Sequence, residues 1–183
     1  MDNNVLISIV GPTGIGKTTL SLKIASHFQS EIISADSRQF FKEIPIGTAA
    51  PTPKELKKIK HHFIHNKSIE EVYSVGDFEK DAINCINSIH KEHPIVVMVG
   101  GSGLYVNAVI NGLDEFPKID PKIREKLNIQ LANNGIINLQ EELKTLDLKS
   151  YNTIDLNNSH RVIRALEICK GTGKTYSSFL NKN

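Results

Sequence analysis

The feature that most constrains the fold is a glycine-rich stretch, residues 11–18, that matches the pattern G-x-x-x-x-G-K-[ST] in full. It follows a short, β-branched apolar run over residues 5–10. It precedes a segment in which Leu20, Ile24 and Phe28 recur about one helical turn apart. A buried strand, a glycine-rich turn and a helix, in this order, are the context in which the pattern binds phosphate. The sequence therefore predicts a P-loop near the start of an α/β fold.

Each residue type in this stretch has a role in holding a phosphate. The glycines let backbone N–H groups curl around phosphate oxygens, and the helix N-terminus adds a favourable dipole. Lys17 neutralises phosphate charge, and the Thr18 hydroxyl suits Mg²⁺, the cofactor we expect. The pattern leaves open which phosphate compound binds, ATP or a diphosphate. The residues predicted to bind it are Gly11, Pro12, Thr13, Gly14, Ile15, Gly16, Lys17 and Thr18.

Further strand-like segments extend this start into a parallel sheet. Residues 31–34, centred on Ile32 and Ile33, and the apolar run 95–99 are predicted strands, and a helix predicted from Gly76 onward precedes the second of them. A second glycine-rich turn, residues 100–103, leads into another helix. The predicted fold class is α/β, a P-loop NTPase-like parallel sheet with flanking helices and a small helical insertion.

Changes in composition divide the chain into three parts. Residues 1–112 hold the strand and P-loop signals and are predicted to be the catalytic core. Residues 113–157 are rich in Lys, Glu, Asn and Leu without a strand pattern, which indicates an insertion of two or three helices. Residues 158–183 open with a strongly helical segment and are predicted to return to the core.

Charge and cysteine usage exclude several classes of protein. Lys and Arg number 22 against 20 Asp and Glu, so whole-chain charge does not by itself indicate a nucleic-acid binder. Cys85 and Cys169 lack C-x-x-C spacing, which argues against a disulfide framework or a zinc site. The N-terminal apolar run is too short to span a membrane and lacks a signal-peptide pattern, so we expect a cytoplasmic protein without a membrane segment.

Asp36 follows the second predicted strand, at the sheet edge that carries the P-loop. Its position leaves two interpretations equally open: a general base or metal partner, and an Asx cap of the next turn. The histidines of residues 61–65 lack a complete metal-ligand set, so a partly exposed loop near the ligand is favoured. Residues 171–175 repeat the end of the P-loop pattern but follow a helix, which is typical of a helix C-cap.

Eight stretches, in order along nearly the whole chain, resemble the tRNA dimethylallyltransferases, also called tRNA isopentenyltransferases. They are residues 11–18, 34–39, 46–51, 61–63, 73–78, 99–105, 120–124 and 161–167. The resemblance implies transfer of a dimethylallyl group from its diphosphate to the N6 amine of the adenine 3′ of the anticodon, with release of diphosphate. The P-loop would then hold a prenyl diphosphate.

The same resemblance implies roles for individual residues. Asp36 would accept the proton of the adenine amine as general base, with Lys17 and Ser102 completing the catalytic set. The family commonly has threonine where this chain has Ser102, and often glutamine or arginine where it has His160. The implied tRNA contacts are Asp36, Ser37, Arg38, Gln39, Ser102, Arg124, His160, Arg161, Val162, Ile163 and Arg164. For the arginines, a simple solvated helix face is the open alternative.

The implied partners are the tRNA anticodon stem-loop and dimethylallyl diphosphate, and we expect a monomer. Family members continue well beyond residue 183, so we expect a truncated chain. One alternative function is a P-loop small-molecule or nucleotide kinase. Against it, the run at 95–99 lacks a terminal aspartate of the Walker-B kind, and a kinase does not explain residues 36–39. The other alternative is an inactive tRNA-binding fragment, which an intact Asp36 and Lys17 do not exclude.

Overall fold

The computed structural model describes residues 4–180 of the 183-residue chain. The chain divides into two compact units, Met1–Leu113 and Asp114–Asn183. The first contains the sheet and is called the P-loop unit below, and the second is called the helical unit. No helix among residues 4–180 is long and apolar enough to cross a membrane.

The P-loop unit is built on a parallel sheet. Its strands in chain order are β1 (Val5–Val10), β2 (Ile32–Ser34), β3 (His61–His62) and β4 (Ile95–Gly100). Their spatial order is β1-β4-β2-β3, and all three pairings are parallel. The carboxyl ends of β1, β2 and β4 therefore meet at one edge, where the turns that follow them converge.

Helices cover the sheet of the P-loop unit and bury it on both faces. They are α1 (Lys17–His27), α2 (Pro53–Lys58), α3 (Val75–Ile89) and α4 (Gly103–Asn111). Neighbouring residues of β2 belong to separate core clusters, with Ile33 packed near Phe78 and Ile32 near Ala25. Strands that are buried on both faces have continuous apolar sequences, which is why β1 and β4 could be predicted from the sequence. The predicted α/β fold class is confirmed.

Small differences from the sequence prediction have local causes. The second strand begins at Ile32, one residue later than predicted, and α3 begins at Val75 because Ser74 and Asp77 form a capping box there. The loop predicted for residues 61–65 was wrong at its start, since Ile32 and Ile33 pair with His61 and His62. Two residues are too few to show periodicity, so only the pairing with β2 reveals this edge strand.

The helical unit consists of α5 (Pro121–Asn134), α6 (Ile136–Leu146), α7 (Leu148–Thr153) and α8 (Ser159–Thr172), followed by a 3₁₀ turn over Tyr176–Ser178. Its core contains Leu127, Leu139 and Leu143 together with Val162 and Leu166 of α8. The structure therefore groups residues 158–183 with the preceding helices, which differs from the predicted return to the core. The reason is that α8 buries its apolar face against α5 and α6.

One smaller prediction is confirmed within the described residues. Helix α8 ends at Thr172, and its C-cap Gly173 has a left-handed φ of 69°, so residues 171–175 form a C-cap and not a second P-loop. Cys85 and Cys169 are free thiols; Cys169 is buried, and Cys85 is only partly buried. Burial raises the pKa of Cys85 to about 11, so this thiol is protonated and unreactive near neutral pH.

Candidate active site

The turn between β1 and α1 has the backbone geometry of an anion-binding loop. Gly14 and Gly16 both have φ of 89°, a left-handed conformation that favours glycine. Gly16 caps α1, whose first turn contains no acidic residue to offset the positive end of the helix dipole. The N-terminus of α1 therefore offers unpaired N–H groups and a favourable field to a phosphate.

Lys17 and Thr18 line a crevice above this turn. The Lys17 ammonium donates a hydrogen bond to the Pro12 carbonyl oxygen at 2.7 Å, which folds the side chain over the loop. An ammonium has three N–H donors, so two are left for a phosphate. The backbone carbonyl of Thr18 accepts from the Ser21 hydroxyl at 2.9 Å, which ties the first turn of α1 together.

Asp36 enters the same crevice from the turn after β2. One carboxylate oxygen, Oδ1, accepts from the Arg38 N–H at 3.1 Å, so the Asx-turn interpretation describes that oxygen correctly. The other oxygen, Oδ2, faces Gly101, where a Cβ atom would lie 3.9 Å both from it and from Lys17 Nζ. The cap and the proposed base role are therefore compatible, because they use different oxygens.

The close approach of β2 and β4 sets the position of Asp36. The Ala35 N–H donates to the Val99 carbonyl at 2.8 Å, one residue before Asp36. A Cβ on Gly100 would overlap the Ala35 carbonyl group and lie 3.0 Å from the Ala35 Cβ. Since those neighbours are mostly backbone, they cannot rotate away. Position 100 must therefore be glycine for β2 to approach β4 closely enough to bring Asp36 to the P-loop.

We predict that Gly100→Ala destabilises the P-loop unit by about 1–3 kcal/mol, the usual cost of overpacking a tight contact. It should also weaken diphosphate binding, because β2 must shift and carry Asp36 with it. Urea unfolding and pyrophosphate titration measure the two effects. Gly103→Ala is the matched control, because a Cβ there has no neighbour within 4 Å. Equal stability of the two variants would contradict the prediction.

Ser37 and Ser102 join the turns that follow β2 and β4. The Ser37 N–H donates to the Ser102 hydroxyl oxygen at 3.1 Å, and the two hydroxyl oxygens lie 3.2 Å apart. Ser102 also lines a shallow hollow together with Asp36 and Arg38. The structure thus brings together Asp36, Ser37, Arg38 and Ser102, which the sequence predicted to act jointly.

Gln39 lines the crevice but is engaged by its own chain. Its amide group donates to the carbonyl oxygens of Thr48 at 3.1 Å and Ala49 at 3.2 Å, and its Oε1 accepts from the Ser34 hydroxyl at 2.9 Å. Both amide donors are thereby used. Gln39 ties the loop of residues 46–51 to the end of β2, and a contact of Gln39 with tRNA stays a prediction.

Several lining residues of the crevice received no role from sequence reasoning. They are Thr48, Ala49, Pro51, His61 and Ile64. Burial lowers the pKa of His61, so its ring is neutral near pH 7. The Nδ1–H donates to the Ile59 carbonyl at 2.8 Å, and Nε2 is buried with no partner among the described residues. The sequence did carry a signal for Thr48, Ala49, Pro51 and His61, since residues 46–51 and 61–63 are two of the eight stretches that resemble the family.

The helical unit holds the remaining residues that were predicted to contact tRNA. Arg124, His160 and Arg161 are exposed, and the Arg164 side chain is 40% exposed. Val162 and Ile163 require a correction, because they are 0% and 3% exposed in the core of this unit. Their side chains pack against Leu127, Leu139 and Leu143. The prediction assigned a tRNA contact to all five residues 160–164 because they match the family as one stretch, although a helix exposes only one face.

The phosphate loop on a parallel sheet with flanking helices defines a P-loop NTPase-like α/β protein. Residues 39–183 match the family model described as IPP transferase. The chain belongs to that family, and the family resemblance inferred from the eight stretches is confirmed.

Individual relatives agree with this assignment. The tRNA dimethylallyltransferase of Christiangramia forsetii is 59% identical over 180 residues, covering 98% of this chain and 60% of that protein. A crystal structure of the full-length tRNA isopentenylpyrophosphate transferase from Bacillus halodurans matches with 40% identity and a TM-score of 0.61, over 93% of this chain and 57% of that one. A eukaryotic dimethylallyltransferase acting on tRNA matches with 30% identity and a TM-score of 0.76, over 98% and 44%. The chain thus spans about 60% of the length of the curated relatives.

Proposed function

We propose that this chain carries the catalytic centre of a tRNA dimethylallyltransferase. The reaction transfers a dimethylallyl group from dimethylallyl diphosphate to the N6 amine of the adenine 3′ of the anticodon, and releases diphosphate. The observation that carries the proposal is the convergence of Lys17 and Asp36 on Gly101 at one crevice. The crevice thus offers a cation for the leaving diphosphate and a carboxylate for the proton of the attacking amine.

The chemistry needs both groups. As the adenine nitrogen bonds to the allylic carbon, the bond from that carbon to the diphosphate oxygen breaks, and negative charge builds on the leaving group. The N–H groups of the P-loop and the Lys17 ammonium stabilise that charge. The amine proton passes to Asp36 Oδ2, the oxygen that does not cap the turn. Ser102 holds the turn that carries Asp36 through its hydrogen bond from Ser37.

The residues at the crevice fit Mg²⁺ as part of this centre. Among residues 4–180 there is no group of three or more His, Cys, Asp or Glu side chains that could hold a metal. A P-loop magnesium site does not need one, because substrate phosphates and water supply most ligands and a single hydroxyl supplies the rest. Thr18 lines the crevice and would provide that hydroxyl. When bound, Mg²⁺ neutralises charge on the diphosphate.

For the tRNA, the proposed contacts in the P-loop unit are Asp36, Ser37, Arg38, Gln39 and Ser102. Those in the helical unit are Arg124, His160, Arg161 and Arg164. Single-stranded loops are where proteins splay bases out, so the target adenine leaves its stack before reaching Asp36. We further propose that the protein acts as a monomer.

The test is a transfer assay with Mg²⁺, dimethylallyl diphosphate and an unmodified tRNA that carries the adenine. We expect the tRNA to gain the mass of one dimethylallyl group. Lys17→Ala should lower the rate by about 10²–10³-fold, the usual cost of removing one stabilising donor from a developing oxyanion. The Lys170→Ala variant is the control, since Lys170 pairs with Glu142 in the helical unit.

Two further arms separate the outcomes. A version extended to the length of the relatives is assayed beside this chain, and a gain only from the extended version would show that the remaining segment is required. The same proteins are incubated with radiolabelled ATP and candidate small-molecule or nucleotide acceptors. Phosphate transfer from ATP, with no mass gain from either length, would replace this proposal by the kinase.

A further inference from the structure

Glu167 is a buried carboxylate among the cations of the helical unit. Its side chain is 8% exposed, on the face of α8 that meets α5. Burying a carboxylate is costly unless charged partners and hydrogen bonds compensate for the lost water. A buried glutamate in this position therefore needs charged or hydrogen-bonding partners that hold it there.

Two arginines from different helices share one oxygen of this carboxylate. Arg164 Nη1 donates to Glu167 Oε2 at 2.9 Å, and Arg124 Nη2 lies 3.4 Å from the same atom. The arginine side chains are 40% and 49% exposed, so the carboxylate lies inside and the guanidinium groups extend outward. A guanidinium has five N–H donors, and each arginine reaches Glu167 through one terminal nitrogen.

Arg164 is held on a second side by an aromatic ring. Its guanidinium carbon lies 5.1 Å from the centre of the Phe116 ring, and Phe116 stacks on Tyr176 at 5.2 Å with an interplanar angle of 4°. Cation–π contact and the ion pair together restrict a side chain that would otherwise sample many rotamers. Arg164 is thus pre-organised.

We propose that Glu167 is a positioning residue, which holds the Arg124 and Arg164 guanidinium groups so that their remaining N–H donors meet phosphates of the tRNA stem-loop. The inference rests on the proposed function and deepens it. Glu167 touches no substrate and acts through the two arginines, whose planar donor forks suit phosphate oxygens when their orientation is set.

The sign of the effect distinguishes positioning from simple charge. Glu167 cancels one of the two positive charges beside it, so by long-range electrostatics alone its removal would strengthen RNA binding. If Glu167 instead orients the arginines, its removal weakens binding, because both side chains must be ordered by the RNA itself. The two roles therefore predict opposite changes in affinity for the same substitution.

Glu167→Gln and Glu142→Gln form a matched pair for this test. Each removes one negative charge from the helical unit at nearly constant shape. Glu142 pairs with Lys170 at 2.6 Å, a cation with no proposed tRNA contact. The experiment titrates a labelled, unmodified anticodon stem-loop RNA with the whole chain by fluorescence anisotropy, at several salt concentrations. Melting temperatures are recorded for each variant.

We expect Glu142→Gln to bind as tightly as the wild type or slightly more tightly. Glu167→Gln should bind about tenfold more weakly, the scale of one charge-assisted hydrogen bond. Its salt dependence should also be shallower, by about one phosphate contact. A loss of fold stability alone would not change that slope. Glu167→Asp keeps the charge but withdraws the carboxylate by one methylene, so its RNA affinity should lie between those of the wild type and Glu167→Gln. It replaces Glu167→Gln in the test if the glutamine variant does not fold.

Two results would overturn the inference. If the wild type binds RNA and Glu167→Gln binds as well as Glu142→Gln or better, Glu167 does not position the arginines, while the proposed function stands. If the wild type and the version extended to the length of the relatives both bind pyrophosphate but no RNA, the tRNA surface proposed for the helical unit is rejected, and this inference with it.

Discussion

Replacing Asp36 by asparagine is expected to lower the rate of dimethylallyl transfer by about 10²–10⁴-fold, the contribution typical of a positioned general base. Asparagine keeps the oxygen that caps the turn through the Arg38 N–H, so the local backbone should persist. It removes the negative charge and the basic lone pair of Oδ2. Single-turnover transfer assays measure the rate, and titration with Mg²⁺ and pyrophosphate should show that the P-loop still binds.

Asp155→Asn is the control for the substitution of Asp36. Asp155 Oδ1 accepts from the Asn157 N–H at 3.1 Å, the same arrangement two residues apart as in the turn at Asp36. Asp155 is exposed and has no role in the proposed reaction. If Asp36→Asn transferred within about threefold of the Asp155→Asn rate, far less than a general base contributes, the carboxylate would serve only to cap its turn.

Replacing Phe40 by alanine is expected to destabilise the P-loop unit by about 3–5 kcal/mol, the cost of deleting a buried phenylalanine. Phe40 is 1% exposed, and its ring centre lies 5.2 Å from that of Phe78 and 5.5 Å from that of Tyr73. Urea unfolding is followed by tyrosine fluorescence, since the chain has no tryptophan. Tyr73 and Tyr105 of this cluster supply two of the four tyrosine signals. Phe40 also follows Gln39, so the loop of residues 46–51 should loosen and diphosphate affinity should fall.

Phe28→Ala provides the comparison, because Phe28 is 41% exposed near the end of α1. It removes the same atoms with little buried contact, and we expect a loss of less than about 1 kcal/mol for such a surface site. Phe40→Leu should recover part of the loss by refilling the cavity. Similar urea concentrations at the unfolding midpoint for Phe40→Ala and Phe28→Ala would mean that the aromatic cluster around Phe40 adds little to stability.

The parts of the fold that were predictable are those with a local signal. Strands β1 and β4 are continuous apolar runs because helices cover both faces of the sheet, and α3 follows a capping box. The edge strand at His61 and His62 has no such signal, since two residues carry no period and pairing with β2 alone defines it. The grouping of α8 with the helices before it likewise depends on packing, which the sequence pattern of α8 does not specify.

The candidate site shows the same division. The anion-binding loop geometry was predictable, because the glycines, the lysine and the threonine of the pattern lie within eight residues. Phosphate binding by this loop stays a prediction. The assignment of Val162 and Ile163 to tRNA was wrong, since a linear match does not distinguish the buried face of a helix from the exposed one. The crevice walls around Thr48 and His61 lie far apart in sequence and meet only in the fold.

The sequence by itself determined the phosphate loop, the alternation of strands and helices around it, and the family, because each rests on residues close together in the chain or on their order. Only the tertiary structure decided that Asp36 and Lys17 converge on one point, because that depends on β2 lying against β4 where Gly100 has no side chain. It also decided that Glu167 holds Arg124 and Arg164, because a carboxylate buried between two helices exists only after they have packed.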